Sequence, residues 1–263
     1  MKRIIALIIC VICIFSLSAC ALTEESGYEA TYEALKEAET VVIHTYEGEE
    51  DESLRVDVTD ELLSLFEGKW ESADGRGKGN KVVTVTVGTQ HEITFFDNGI
   101  AMIYYGYANV LEKDRRHYKA DLDARCDELV AYAEERGMDL DAASVLDRFF
   151  VSGNEEEGTV PGEIEASVKD KKLSIETSEE LKKYLSGSWR RTEKGSESSP
   201  AVTLVLDGKY VVSLYEDETA KLSELDSRGE EKNVSYYNVA LDSDLDGLYG
   251  YVEENGTAPE AKE

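Results

Sequence analysis

The sequence has 263 residues, 56 acidic against 28 basic, and a net charge of −28 at pH 7. The surplus is spread along the chain, which argues against binding nucleic acid and against a polybasic grip on anionic lipid. The length suits two small domains or one larger one.

The chain opens with Lys2 and Arg3 and an almost wholly apolar run from Ile4 to Leu17. That run is too short to span a bilayer comfortably, which takes about 20 residues as a helix. A charged start, an apolar stretch and small residues before a cut predict a secretory signal over residues 1–19. Leu17-Ser18-Ala19-Cys20 resembles the lipobox of bacterial lipoproteins. The resemblance implies that the Cys20 thiol carries a diacylglycerol and that the chain is cut just before it. It further implies a body held by lipid at the extracytoplasmic face of a bacterial membrane. Two acyl chains suffice physically, since burial contributes about 0.8 kcal/mol per CH₂ and stable anchoring takes about two chains. The alternative is an ordinary signal that happens to be followed by a cysteine. Residues 20–39 then form the lipidated N-terminus, a polar tether and a short helix. Cys10 and Cys13 leave with the signal, so Cys126 is the only cysteine remaining in the body and no internal disulfide is expected.

Residues 40–110 predict a first β-rich module and residues 163–255 a second. The evidence is a phrase written twice. Leu54 to Trp70, LRVDVTDELLSLFEGKW, aligns without gaps on Leu173 to Trp189, LSIETSEELKKYLSGSW, at an offset of 119 positions. Each copy begins with period-two alternation, Leu54, Val56, Val58 against Leu173, Ile175, Thr177, which predicts a half-buried strand. Thr59 or Ser178 then precedes an acidic pair, an N-cap with negative charge in the first turn. Leu62, Leu65 and Phe66 match Leu181, Tyr184 and Leu185 as the apolar face of a short helix. Gly68 or Gly187 ends it, and a strand begins through Trp70 or Trp189. Further on, EITFFDNGIAMIYYG (92–106) aligns on AVTLVLDGKYVVSLYE (201–216) at an offset of 109, as two hairpins turning at Gly99 and Gly208. The ten-residue difference marks Lys81 to Gln90 as an insertion. The predicted class is α+β: two duplicated modules of hairpin, short helix, Gly-x-Trp strand and hairpin. Convergent wording of a common strand–helix–strand unit is the alternative.

Residues 111–150 between the modules read as helix, 111–136 and 139–150, broken at Gly137. Leu122, Cys126, Leu129, Val130 and Ala133 share one face, which makes Cys126 a small core residue. Residues 151–162 are a linker and 256–263 a tail.

Gly-x-Trp at the head of a β meander resembles the first-strand motif of lipocalins and of lipocalin-like domains in bacterial lipoproteins. The resemblance implies that Gly68 and Gly187 let the backbone pass closely and that Trp70 and Trp189 plug one end of a barrel. Gly187 to Glu253 is short for eight strands, and neither module offers a clear closing-strand arginine. A partial barrel or an open antiparallel sheet is therefore predicted. For both tryptophans, plain core packing stands beside ligand contact.

DSDLDGLYGYVE (242–253) matches a twelve-residue calcium loop, with Asp242, Asp244, Asp246 and Glu253 as ligands and Gly247 at position six. The competing reading is a solvated acidic turn between strands. His44, His91 and His117 lie at no metal-ligand spacing. No nucleophile elbow, phosphate loop or dinucleotide fingerprint occurs. Three functions remain: a lipid-anchored, non-catalytic ligand-binding or interaction module; an envelope enzyme using scattered carboxylates; and a calcium-stabilised adhesion or assembly protein.

Overall fold

The computed structural model describes residues 26–46, 51–68, 70–73, 79–105, 116–119, 123–150, 162–168 and 171–258. The chain divides into two compact units, Met1–Tyr132 and Ala133–Glu263. Among the described residues there are six helices, and the sheet in each unit is antiparallel and left open, apart from one short parallel pair. The chain is thus β-rich and α+β.

In the first unit, helix α1 (Ser26–Glu37) precedes the hairpin β1 (Thr40–Thr45) and β2 (Glu52–Asp57). Helix α2 (Asp60–Ser64) leads past Gly68 and Trp70 to the two-residue strand β3 (Glu71–Ser72). A meander follows: β4 (Lys81–Val87), β5 (His91–Phe96), β6 (Ile100–Tyr105) and β7 (Arg116–Lys119). Helix α3 (Asp123–Arg136) closes the unit and runs four residues past its boundary. The strand order is β2-β1-β4-β5-β6-β7-β3. The chain therefore leaves the hairpin at one edge, lays Trp70 and β3 at the other, and meanders back to meet it.

The second unit holds β8 (Met138–Asp139), helix α4 (Leu140–Phe150), and the hairpin β9 (Glu163–Val168) and β10 (Lys171–Glu176). Helix α5 (Glu179–Leu185) and β11 (Gly187–Thr192) follow. Then come β12 (Val202–Leu206), β13 (Tyr210–Leu214), β14 (Thr219–Leu225), β15 (Glu231–Leu241) and helix α6 (Leu245–Asn255). The order is β10-β9-β12-β13-β14-β15-β11-β8. Without β8, it is the order of the first unit strand for strand.

The correspondence reaches individual pairs. Val85 faces Ile93 as Leu204 faces Val212, and Ile93 faces Ile103 as Val212 faces Leu222. Ala101 faces Tyr118 as Ala220 faces Tyr237, and Ser72 faces Tyr118 as Arg191 faces Tyr237. All these equivalences share the offset of 119. Positive φ recurs with it: Gly68 and Gly187 at 127° and 125°, Gly88 and Asp207 at 57° and 51°, Gly99 and Glu218 at 72° and 59°.

This register corrects the alignment of the later hairpins. The turn at Gly99 joins β5 to β6, whereas the turn at Gly208 joins β12 to β13, one strand earlier in the order. Lys81 to Gln90 is no insertion, because β4 pairs with β1 as β12 pairs with β9. Tight-turn letters misled: the counterpart of Gly99 is Glu218, which reaches positive φ without a glycine. Among the described residues each unit carries four strands after its β3 or β11, not one hairpin.

The segment expected as helix from 111 to 136 contains strand β7, and α3 starts only at Asp123. Cys126 is buried on α3 together with Leu129, Val130 and Ala133. Leu146 and Phe149 of α4 join the core of the second unit with Leu181, Leu185 and Trp189. The expected linker, apart from Gly162, and most of the expected tail lie outside the described residues. So do residues 1–25, including Cys20. No helix among the described residues is long and apolar enough to cross a membrane.

Candidate functional site

The Gly-x-Trp motifs are built from their neighbouring helices. Thr59 Oγ1 accepts the Leu62 amide at 3.2 Å and Ser178 Oγ accepts that of Leu181 at 3.1 Å, so each short helix starts where its N-cap dictates. The same hydroxyls meet a tyrosine from the closing helix. Thr59 lies 2.9 Å from the Tyr132 hydroxyl and Ser178 2.6 Å from that of Tyr251, again 119 positions apart. Trp70 Nε1 donates to the Phe66 carbonyl and Trp189 Nε1 to that of Leu185, both at 3.0 Å. Trp189 is thereby pinned to the last residue of α5 and Trp70 to the turn just after α2, each with its one polar atom satisfied.

The surroundings of the two rings differ. Trp189 is fully buried and meets Tyr237 edge-on, with centroids 5.9 Å apart. Trp70 is half-buried. Tyr118, the counterpart of Tyr237, meets it edge-on at 6.0 Å, and Tyr28 of α1 stacks on it at 4.6 Å. The Tyr28 hydroxyl donates to the Phe66 carbonyl, and burial, with Tyr32 adding, pushes its pKa to about 12. Tyr237 is likewise raised to about 12, first by burial and then by Asp139. Trp189 is therefore a core residue, whereas Trp70 is half-buried in an aromatic cluster with Tyr28, Phe95 and Tyr118.

The acidic stretch 242–253 is for its greater part helix α6. Asp244 is its N-cap, and its Oδ1 accepts the Gly247 amide at 2.7 Å. Asp246 stands in the first turn, and Glu253 lies near the far end, where its Oε1 pairs with Lys171 Nζ at 2.6 Å. The structure does not bring Asp242, Asp244, Asp246 and Glu253 together, and among the described residues no three His, Cys, Asp or Glu are placed to hold a metal. Helix α6 is thus neither an ion loop nor an acidic turn between strands. Its signals were present: a capping Asp244 before Leu245, Leu248, Tyr249 and Val252 at helical spacing, and Tyr251 at the repeat offset from Tyr132.

A capping role makes a specific prediction. Asp244→Ala should remove about 1 kcal/mol of stability from the second unit, equally in calcium and in chelator, as read by chemical denaturation. A loss seen only with calcium present would make Asp244 an ion ligand instead.

The histidines stand apart on β1, β5 and β7. His44 Nδ1 lies 2.7 Å from Ser53 Oγ and His91 Nδ1 3.1 Å from Thr31 Oγ1. Burial holds both imidazoles below their usual pKa.

Two recesses mark the second unit. One, of about 580 Å³, lies between the β13–β14 turn and the start of α6, with Tyr215 and Tyr249 among its walls and Glu216, Glu218, Asp244 and Asp246 also lining it. Burial first, then Glu216 and Asp246, raises the Tyr249 hydroxyl. The other, of about 640 Å³, lies beside β10 and is lined by Glu163, Ser174, Glu176, Asn255 and Thr257 among others. Carboxylates, hydroxyls and amides in such recesses accept hydrogen bonds and favour cationic or donor-rich groups.

Comparison with protein-family models, with curated proteins and with solved structures finds no match to this chain.

Proposed function

We propose that the chain is a membrane-anchored, extracytoplasmic lipoprotein whose body is two copies of one module and acts by non-catalytic binding or interaction. The single observation that carries the two-copy body is the constant offset of 119 through strand order, register, caps and tryptophan contacts. Convergence on a common unit does not require a tyrosine on the closing helix to meet the cap of the short helix in both units, yet Tyr132 and Tyr251 both do. Duplication produces such coincidences without further assumption.

The filled interior of the second unit supports interaction at edges and outer recesses over enclosure of a ligand, since Trp189 leaves no exposed surface. The lipobox-like Leu17 to Cys20 supports the anchor. Anchoring is tested directly. Cys20→Ser in a bacterial host should abolish incorporation of labelled fatty acid and leave the protein uncleaved or released from the membrane. Undiminished label in the variant would remove Cys20 as the lipid site and the anchored reading with it.

A further inference from the structure

Among the described residues the two units share a strand order but differ at one edge. In the second unit β8 lies along the outer side of β11, parallel to it, with Met138 opposite Trp189. The Trp189 amide donates to the Gly137 carbonyl at 3.1 Å, and Ser188 Oγ donates to the same oxygen at 3.2 Å. Met138 is buried in the core beside the indole.

The counterpart of β11 in the first unit is β3 with Trp70, which ends the strand order among the described residues. The inner side of β3 faces β7, where the Ala73 amide donates to the His117 carbonyl at 2.8 Å. Amides alternate sides along an antiparallel strand, so those of Trp70 and Ser72 point outward. Among the described residues nothing accepts from the Trp70 amide, and its ring keeps the exposure that Trp189 has lost.

The chain also carries a segment built like the one that covers β11. Gly137 follows α3 and donates its amide to the Ala133 carbonyl at 2.7 Å; Gly256 follows α6 and donates to the Val252 carbonyl at 2.9 Å. The two glycines are 119 positions apart, as are Met138 and Thr257. Gly256 is extended, with φ −82° and ψ 142°. Thr257 exchanges both its backbone hydrogen bonds with Ser174, at 2.8 and 2.9 Å, in an isolated antiparallel bridge to β10. With Thr257 facing β10, the Gly256 carbonyl and the Ala258 amide face the other way. A parallel strand laid opposite Trp70 needs one outward carbonyl before the paired residue and one outward amide after it. Gly256 and Ala258 supply them.

We propose that copies of this chain join head to tail, with Gly256–Ala258 of one copy adding as a parallel strand to the outer edge of Trp70–Ser72 in the next. Each copy then offers one donor end and one acceptor end. Such a heterologous contact forms open chains or rings, not an isologous pair. It is an instance of strand addition to an exposed sheet edge, in which backbone bonds supply the affinity. The inference concerns the folded body and holds whether or not Cys20 carries lipid.

The test uses the full chain in detergent, followed by sedimentation velocity over a wide concentration range. Wild type should form species that pass beyond the dimer as concentration rises. Ala258→Pro removes one outward amide at the donor end, and Ser72→Pro removes one at the acceptor end. Neither alters an inward bond, and edge positions tolerate proline. Each variant alone should be monomeric, with circular dichroism and melting temperature near wild type. An equimolar mixture should give dimers and stop there, because each partner retains one working end. As a check that does not depend on proline, a photo-crosslinking residue at Ser72 should capture Gly256–Ala258 from an isotopically labelled second copy. Wild type that stays monomeric or halts at a dimer overturns the proposal. So does a variant mixture that assembles like wild type, or a cross-link made within one chain to the residues before Ser26.

Discussion

Replacing Trp189 by alanine is expected to cost the second unit about 3–5 kcal/mol, the range for removing a large buried aromatic side chain. The ring has no exposed surface, touches Tyr237 and sits among Leu181, Leu185 and Met138 in one apolar cluster. Removing it forfeits its transfer free energy and leaves a void that a sheet paired on both sides of β11 cannot close. Trp70→Ala should cost clearly less, because that ring is already half in water. Hydrogen exchange of amides in β11 to β15 measures the loss within the second unit. A loss below about 1 kcal/mol would contradict dense packing and point instead to a collapsible pocket around the indole.

Gly187→Ala should be at least as damaging as strain alone allows, and more so than Gly68→Ala. Both glycines sit near φ +125°, where a side chain costs about 1–3 kcal/mol. The difference lies in what a Cβ would meet. At Gly187 it would run into the Ala240 carbonyl oxygen and come within 2.8 Å of the Leu241 Cα, both backbone atoms of β15. These cannot move without opening the β11–β15 ladder. At Gly68 the nearest atom is Arg125 Nη2 at 2.5 Å, the tip of a flexible side chain that can swing away. We expect Gly187→Ala to lose about 3 kcal/mol or more, and Gly68→Ala to remain within the strain range. With two tryptophans in the chain, a Trp70→Phe background leaves Trp189 emission as a probe of the second unit during urea unfolding. Equal losses at the two glycines would show that conformation, not the approach of β15, is what matters.

The Leu54–Trp70 and Leu173–Trp189 segments illustrate what was legible. Alternation, an N-cap hydroxyl, an acidic first turn, a short apolar face and a glycine all act within a few residues. Short-range physics suffices to read them: the structure has the strands, the N-caps and the positive φ at those positions, but α2 ends at Ser64, short of Leu65, Phe66 and Gly68, and α5 is capped at Ser186 so that Gly187 opens β11. The hairpins further on were misread because Asp-Gly and Asn-Gly fit any tight turn. Nothing local distinguishes the turn after the fourth sheet position from the turn after the third. Helix α6 was hidden by aspartates whose spacing also fits an ion loop, and a capping carboxylate and a liganding one carry the same letter.

The sequence by itself determined the apolar opening that ends at Cys20, the acidic surplus, most of the local elements, and the doubled cap–helix–Gly-x-Trp phrase. Tertiary structure alone decided which strands are neighbours, and so that one offset of 119 runs through both units. It also decided that equivalent tryptophans differ in exposure, one covered by Met138 and the other beside the last strand among the described residues. The reason is that strand pairing joins residues far apart in the chain. Each strand carries the same backbone donors and acceptors, so its letters say that it will pair but not with which partner, or whether its last edge stays free.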